Sequence, residues 1–165
     1  MKQIPLTNSM HALVDDEEFD RLNLFSWYAL KTKAGYYAAR NAKDVNNKTY
    51  LVLMHRNILG LSKGDGVQVD HINHNTLDDR LVNIRKCTRS ENQWNTLSKT
   101  GTSEYKGVAW EKRTKKWYAY IKINRKNKYL GRYDSEIKAA RVYDLAAQKH
   151  FGEFACLNFS KKEVA

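Results

Sequence analysis

The sequence predicts an α+β protein: a β-rich N-terminal segment, a β-hairpin followed by a helix, then a three-stranded antiparallel sheet packed on one α-helix. Three observations carry this. Short runs rich in β-branched and aromatic residues recur along the chain, punctuated by Gly and Asn. The stretch Thr88-Arg89-Ser90-Glu91 is a capping box, which marks a helix start directly after two such runs. A long alanine-rich run, Ile137 to Ala147, follows three strand-like runs near the C-terminal end.

The elements are read in order as follows. His11-Ala12-Leu13-Val14 is a strand. Asp15 to Leu22 is a short helix whose acidic start suits the positive end of the helix dipole, with Phe19, Leu22 and Leu24 toward a core. Trp27 to Leu30, Tyr36 to Arg40 and Thr49 to Leu53 are strands separated by Gly35 and Asn46-Asn47. Met54 to Leu61 is a helix ending at Gly60 or Gly64, with Leu51, Met54, Ile58 and Leu61 on one face. Lys63-Gly64-Asp65-Gly66 is a loop. Gly66 to Val69 is a strand, Asn73-His74-Asn75 a turn of short polar residues, and Leu81 to Lys86 a second strand. The helix after the capping box starts near Arg89 and carries Asn92 in its first or second turn.

The residues around this hairpin and helix suggest chemistry. The string Val69-Asp70-His71-Ile72-Asn73 is followed by Asn83-Ile84-Arg85 and by Glu91-Asn92-Gln93. Taken singly, each polar residue here reads as solvated surface; the joint spacing does not. This order resembles the HNH nuclease motif, the ββα-metal fold, over roughly residues 55 to 95. The resemblance implies that Asp70 and Asn92 hold one divalent metal ion. It implies that His71 is the general base on an attacking water, and that Asn83 braces the loop that orients His71. Asp78-Asp79 stands where many members carry an Asn, and His74 where Gly is common. Phosphodiester hydrolysis needs such a set. A metal neutralises charge on the phosphate and the leaving oxygen, and an imidazole takes a proton near neutral pH. Carboxylate and amide oxygens favour Mg or Mn. The other nitrogen of His71 requires an acceptor that aims the ring. His55 and Arg56 are candidates for a phosphate contact, with a bracing role the stronger reading.

Composition bounds the partners. The chain has 165 residues, a net charge of +11 and 29 basic side chains, which fits one ordinary domain or two small ones that meet a polyanion. No apolar run approaches a membrane span, and Met1 to Thr7 lacks the apolar core of a signal peptide. Cys87 and Cys156 are far apart and form no metal-type pair, so an intracellular protein with free thiols is expected, not a secreted one; the nuclease resemblance implies the cytoplasm of a phage-infected or bacterial cell. No membrane and no obligate protein partner is expected. Ser98 to Ser103, small and polar, reads as a linker between a domain over residues 1–97 and one over residues 104–160.

In the second domain Tyr105 to Trp110, Trp117 to Ile123 and Lys128 to Tyr133 are strands. Lys112 to Lys116 is a basic turn, and Asn124 to Asn127 a hairpin turn. Trp117, Ala119, Ile121 and Ile123 point one way; Tyr118, Tyr120 and Lys122 point the other. A helix capped by Asp134 or Ser135 covers the apolar face and stops near Gly152. Residues 99–132 hold eleven Lys or Arg against Glu104 and Glu111. The open face and the basic turn, with Lys115, Lys116, Tyr118 and Lys128, therefore offer salt-dependent phosphate contacts, and a sheet also enters the major groove. Tyr-Lys-Gly-Val, Lys-Trp-Tyr-Ala-Tyr-Ile, Tyr-Leu-Gly-Arg-Tyr and Ala-Ala-Arg-Val-Tyr-Asp-Leu-Ala-Ala, with Leu157-Asn158-Phe159, resemble the APETALA/ethylene-response-factor DNA-binding domain. The resemblance implies that Lys106, Trp110, Tyr120, Lys122 and Tyr129 face DNA. Ala109 and Glu111 stand where plant members often carry Arg.

The halves together point to a metal-dependent DNA endonuclease of the homing type, aimed at double-stranded DNA by its C-terminal sheet. A non-cleaving DNA-binding regulator on the same fold is the competing reading, and an RNA-binding protein a third. Intact Asp70, His71 and Asn92 favour cleavage.

Overall fold

The computed structural model describes residues 1–97 and 101–159. The chain divides into two compact units, Met1–Asn92 and Gln93–Ala165. The start of the expected linker, residues 98–100, lies outside the described residues.

The first unit opens with a hairpin, β1 (Lys2–Pro5) against β2 (His11–Val14), which turns through Asn8 and Ser9 at positive φ. β1 was not expected from the sequence. Helix α1 (Asp16–Asn23) follows, with Asp16, Glu17 and Glu18 in its first turn. Strands β3 (Tyr28–Thr32), β4 (Gly35–Lys43) and β5 (Thr49–Leu53) form an antiparallel meander in the order β3-β4-β5. Helix α2 (Met54–Ile58) runs directly from β5. Ile4, Ala12, Val14, Leu22, Trp27, Ala38 and Met54 form the core of this unit. Each large side chain so buried contributes about 1.5–3 kcal/mol. The indole of Trp27 donates to the Leu22 carbonyl (2.9 Å), so its burial leaves no orphan donor. Leu24 and Leu51 do not join this core. Leu24 follows the last turn of α1 and is 80% exposed; Leu51 lies on the solvent side of β5.

The ββα unit comes next. β6 (Gln68–His71) pairs antiparallel with β7 (Ile84–Cys87), placing Asp70 opposite Arg85 and His71 opposite Ile84. Helix α3 spans Arg89–Trp94. The capping box is formed as the sequence required: the Glu91 amide donates to Thr88 Oγ1 (3.3 Å) and the Thr88 amide to Glu91 Oε2 (2.7 Å). Both strands are short, and Leu81, Val82 and Asn83 belong to the turn leading into β7.

In the second unit β8 (Val108–Glu111), β9 (Lys116–Ile123) and β10 (Lys126–Tyr133) form an antiparallel sheet in the order β10-β9-β8. Asn124 and Arg125, both at positive φ, make the tight β9–β10 turn. Helix α4 (Glu136–Phe151) packs on the sheet. Ser135 caps it, accepting from the Lys138 amide, and Gly152 ends it at φ 55°. Ala139, Ala140, Tyr143, Ala147 and Phe151 of α4 meet Val108, Ala119 and Ile121. Among the described residues no helix is long and apolar enough to cross a membrane.

Candidate active site

The loop between β6 and β7 is built from side chains that bond to backbone. The Asn75 amide donates to Asn73 Oδ1 (2.8 Å) and the Leu77 amide to Asn75 Oδ1 (3.1 Å), two successive Asx turns. His74 sits between them at φ 64°, the left-handed conformation expected where Gly is common. Asn83 ties the loop shut. Its Oδ1 accepts from the Asn73 amide (2.9 Å), and its Nδ2 donates to the Asp78 carbonyl (2.7 Å). Asp78 in turn takes both Nε and a terminal nitrogen of Arg80 at 2.6 Å and one N–H of the Asn73 side chain. Those donors hold its carboxyl below the usual range, Arg80 first.

The loop is also pinned to the N-terminal hairpin. Leu13 donates to the Leu77 carbonyl (2.8 Å) and accepts from the Asp79 amide (2.9 Å), and Asp15 Oδ2 accepts from the Leu81 amide (2.7 Å). Asp15 therefore serves the loop rather than capping α1, where it makes no side-chain bond.

These restraints bring Asp79 under His71. Asp79 Oδ1 lies 3.0 Å from His71 Nε2, with Asp79 at 0% exposure and His71 at 6%. Burial pushes the Asp79 carboxyl up, opposed by the bond to His71. An ionised Asp79 would accept from an Nε2–H of the ring across this contact. Asp79 is thus the acceptor that aims the ring, a role the sequence demanded without identifying its residue. His55 joins the same cluster. Its Nδ1 is 4.0 Å from Asp79 Oδ1, and its ring stands edge-on to His71 at 5.2 Å between centroids. The Tyr37 ring closes one side, 5.4 Å from His55 and 5.9 Å from His71. Burial pushes the His55 imidazole down to about 3, so it is neutral.

Asp70 lies on β6 and Asn92 on α3, the first and last elements of the ββα unit. Arg85 Nε and a terminal nitrogen both reach Asp70 Oδ2, at 2.9 and 2.7 Å. Asn92 Nδ2 donates to Gln68 Oε1 (2.9 Å). Gln68 and Asp70 share one face of β6, so Asn92 is fastened one same-face step from Asp70. Cys87 lies against both. Burial, then the Asp70 and Glu91 charges, push its thiol up to about 11, against the backbone bond from Asn92. A carboxylate oxygen and an amide oxygen are hard donors, of the kind that suits a small divalent cation.

Arg56 is a brace. It donates to the Val67 and Ser62 carbonyls and to Asp65 Oδ1, all at 2.7 Å, fixing the loop that leads into β6. His55 is buried in the cluster rather than on the surface.

In the second unit, register decides which candidates share the open face. Tyr118, Tyr120 and Lys122 alternate with the buried Ala119 and Ile121. Tyr129 pairs with Tyr120 and joins them, and Lys116 pairs with Glu111 on the same side. Tyr118 and Tyr120 lie 5.7 Å apart between ring centroids, and Lys115 is in the basic turn at φ 50°. Three expected positions differ. Trp110 pairs with Trp117 and meets its ring edge-on at 5.0 Å, on the α4 side. Lys128 pairs with Ile121 and so also has helix-side parity, though exposed on the edge strand. Lys106 turns inward, its Nζ donating to the Trp94 and Thr96 carbonyls at 2.6 Å. Arg132, not singled out from the sequence, pairs with Tyr118 on the open face, its Nε 2.7 Å from Glu111 Oε2.

The chain is similar to several known proteins. Residues 52–94 match the family model described as HNH endonuclease. Protein 3.8 of Escherichia phage T7 is 33% identical over 91 residues, covering 54% of this chain and 74% of that protein. A protein of Acanthamoeba polyphaga mimivirus, named an uncharacterized HNH endonuclease, is 28% identical over 147 residues, 89% of this chain and 74% of its own. The chain belongs to the HNH endonuclease family. The HNH-matched residues hold α2, the β6–β7 hairpin and α3, and so every member of the Asp79–His71 cluster except Tyr37. The C-terminal part is similar to plant AP2-like proteins. An example is the AP2-like ethylene-responsive transcription factor ANT of Arabidopsis thaliana, 44% identical over 69 residues, 36% of this chain and 12% of that protein.

Proposed function

We propose that this HNH endonuclease is a metal-dependent enzyme of the homing type that cleaves double-stranded DNA in a phage-infected or bacterial cell. The reading is carried by one observation, the buried His71–Asp79 pair inside a loop that Asn83 holds shut. Asp79 keeps the proton on Nε2 and fixes the ring plane. His71 Nδ1 then takes the proton of a water as it attacks phosphorus. Asp70 and Asn92 would hold Mg or Mn, which supplies charge neutralisation at the phosphate and the leaving oxygen. Arg85 anchors Asp70 at one oxygen, and Gln68 accepts from the Asn92 amide nitrogen, which leaves the Asn92 oxygen as the donor for the ion.

The second unit supplies residence on DNA. Its open face offers tyrosine rings and Lys116, Lys122 and Arg132 to backbone and groove. Glu111 balances part of that charge, which tunes non-specific affinity downward. Tethering this sheet to the cleaving unit raises the local concentration of target at the active site. The AP2-like relatives support a DNA-docking sheet, and the T7 relative supports a phage setting. We further take residues 1–97 and 104–160 as the two functional domains.

The test is cleavage of plasmid and of a host-genome DNA pool with added Mg or Mn, with product ends read by run-off sequencing. Recurrent ends that vanish in His71→Ala are expected. Equal cleavage by wild type and His71→Ala, or specific binding with no metal-dependent cleavage, overturns the reading.

A further inference from the structure

The cluster under the hairpin contains more than a base and its partner. Two of its polar atoms, His55 Nδ1 and Asp79 Oδ2, are buried without a hydrogen-bond partner. His55 is 5% exposed and Asp79 0%. A buried carboxylate oxygen with no donor is costly, by roughly 1–3 kcal/mol or more. Its natural partners are a cation or a water. Three ligand atoms, one each from His55, His71 and Asp79, lie within 4.8 Å of one another. Around a tetrahedral zinc with bonds of about 2.0–2.2 Å, donor atoms stand roughly 3.3–3.5 Å apart. The His71–Asp79 separation is 3.0 Å, the His55–Asp79 separation 4.0 Å and the third pair within 4.8 Å, so shifts of about an ångström bring all three donors to that spacing.

We propose that His55, His71 and Asp79 form a binding site for a borderline transition-metal ion such as zinc, separate from the oxygen donors Asp70 and Asn92, and that its occupancy turns cleavage off. Two imidazoles and one carboxylate select such ions over Mg, which prefers an all-oxygen shell and keeps its waters. The tautomer explains the inhibition. A metal on His71 Nε2 displaces the proton from that nitrogen. The neutral ring then carries its proton on Nδ1, with no net change in proton count. Nδ1 is the atom that must accept a proton from water, so the loaded site has no base. This last step rests on the role proposed for His71; the metal site itself does not.

Cobalt(II) gives a readout independent of activity. Full-length protein titrated with Co(II) in excess Mg should develop visible d–d bands at one ion per chain, bleached by an equivalent of Zn(II). The bands should be lost in His55→Gln and in Asp79→Asn and kept in Asp70→Asn, with circular dichroism confirming that each variant is folded. Absence of bands in the wild type, or bands that survive both His55→Gln and Asp79→Asn, overturns the site. In the activity arm, one equivalent of zinc should reduce Mg-supported cleavage at least tenfold. Cobalt binding at the cluster without zinc inhibition overturns the switch alone. A protein that binds cobalt there and never cleaves DNA refutes the nuclease reading and leaves the metal site standing.

Discussion

Asp79 Oδ1 sits 3.0 Å from His71 Nε2 at a position fully closed to solvent, while its own amide is held by the Leu13 carbonyl. The carboxylate is therefore fixed from both ends, and the imidazole plane is fixed through it. His71→Ala should reduce the cleavage rate by about 10²–10⁴-fold. Asp79→Asn should reduce it by about 10–100-fold, as removal of a ring-orienting acceptor does. Its melting temperature should stay near that of the wild type, because the amide can still bond to Nε2 while a buried charge is removed. Single-turnover rates beside thermal melts check this; a rate unchanged in Asp79→Asn would sink the positioning role.

Asn83 is held by two bonds of opposite polarity, one accepted and one donated. Asn83→Ala leaves the Asp78 carbonyl and the Asn73 amide unpartnered, at a cost of about 2–4 kcal/mol. Asn83→Asp restores the acceptor but not the donor and should rescue only part. Urea denaturation of the two variants separates these contributions, and cleavage should fall with both.

The Cys87 thiol reports on its charged neighbours. With its folded value near 11, the thiol is protonated at pH 8, and alkylation by iodoacetamide should be slow until the protein unfolds. The raised value means that an unfolded chain releases this proton first. Its contribution to stability is complete below about pH 9 and lost as pH rises toward 11. Asp70→Asn removes one of the negative charges and should speed alkylation at Cys87, mapped by peptide mass spectrometry. An unchanged rate would place Asp70 too far from Cys87 and Asn92.

Gly107 lies at φ 74°, where an added Cβ would stand 1.9 Å from the Tyr143 ring and 2.7 Å from the Tyr120 carbonyl. Gly107→Ala should lower the stability of the second unit by more than about 2 kcal/mol, through left-handed strain and overpacking together. Differential melting of the full chain measures it.

Lysines on the sheet should divide by where their ammonium groups go. Lys122→Ala should weaken DNA binding and reduce the slope of log K against log salt by about 1. Lys106→Met should leave that slope unchanged and lower the melting temperature, because Lys106 already donates to two carbonyls. Fluorescence anisotropy at several salt concentrations distinguishes the two.

Local signals made most of the architecture legible. Thr88 and Glu91 specify α3, alternation specifies β9, and Ser135 with Gly152 brackets α4. Asp70, His71, Asn83 and Asn92 could be singled out as candidates because their spacing is a sequence property. Asp79 was not, since its partnership with His71 and His55 depends on where the loop is pinned by Leu13. The face of Trp110 depends on its register with Trp117, and that of Lys128 on its register with Ile121 beside the bulge between Tyr129 and Gly131, which alternation within one strand does not reveal. β1 holds one buried apolar residue, Ile4, beside a proline, and pairs only because β2 is there.

The attachment of the β6–β7 loop to Leu13 and Asp15 bears on how such an enzyme can be trimmed or transplanted. A fragment limited to residues 52–94 would keep Asp70, His71, Asn83 and Asn92, yet lose the strand that holds Asp79 beneath the histidine. Anyone grafting this cutter onto another reader should carry the opening fifteen residues along with it.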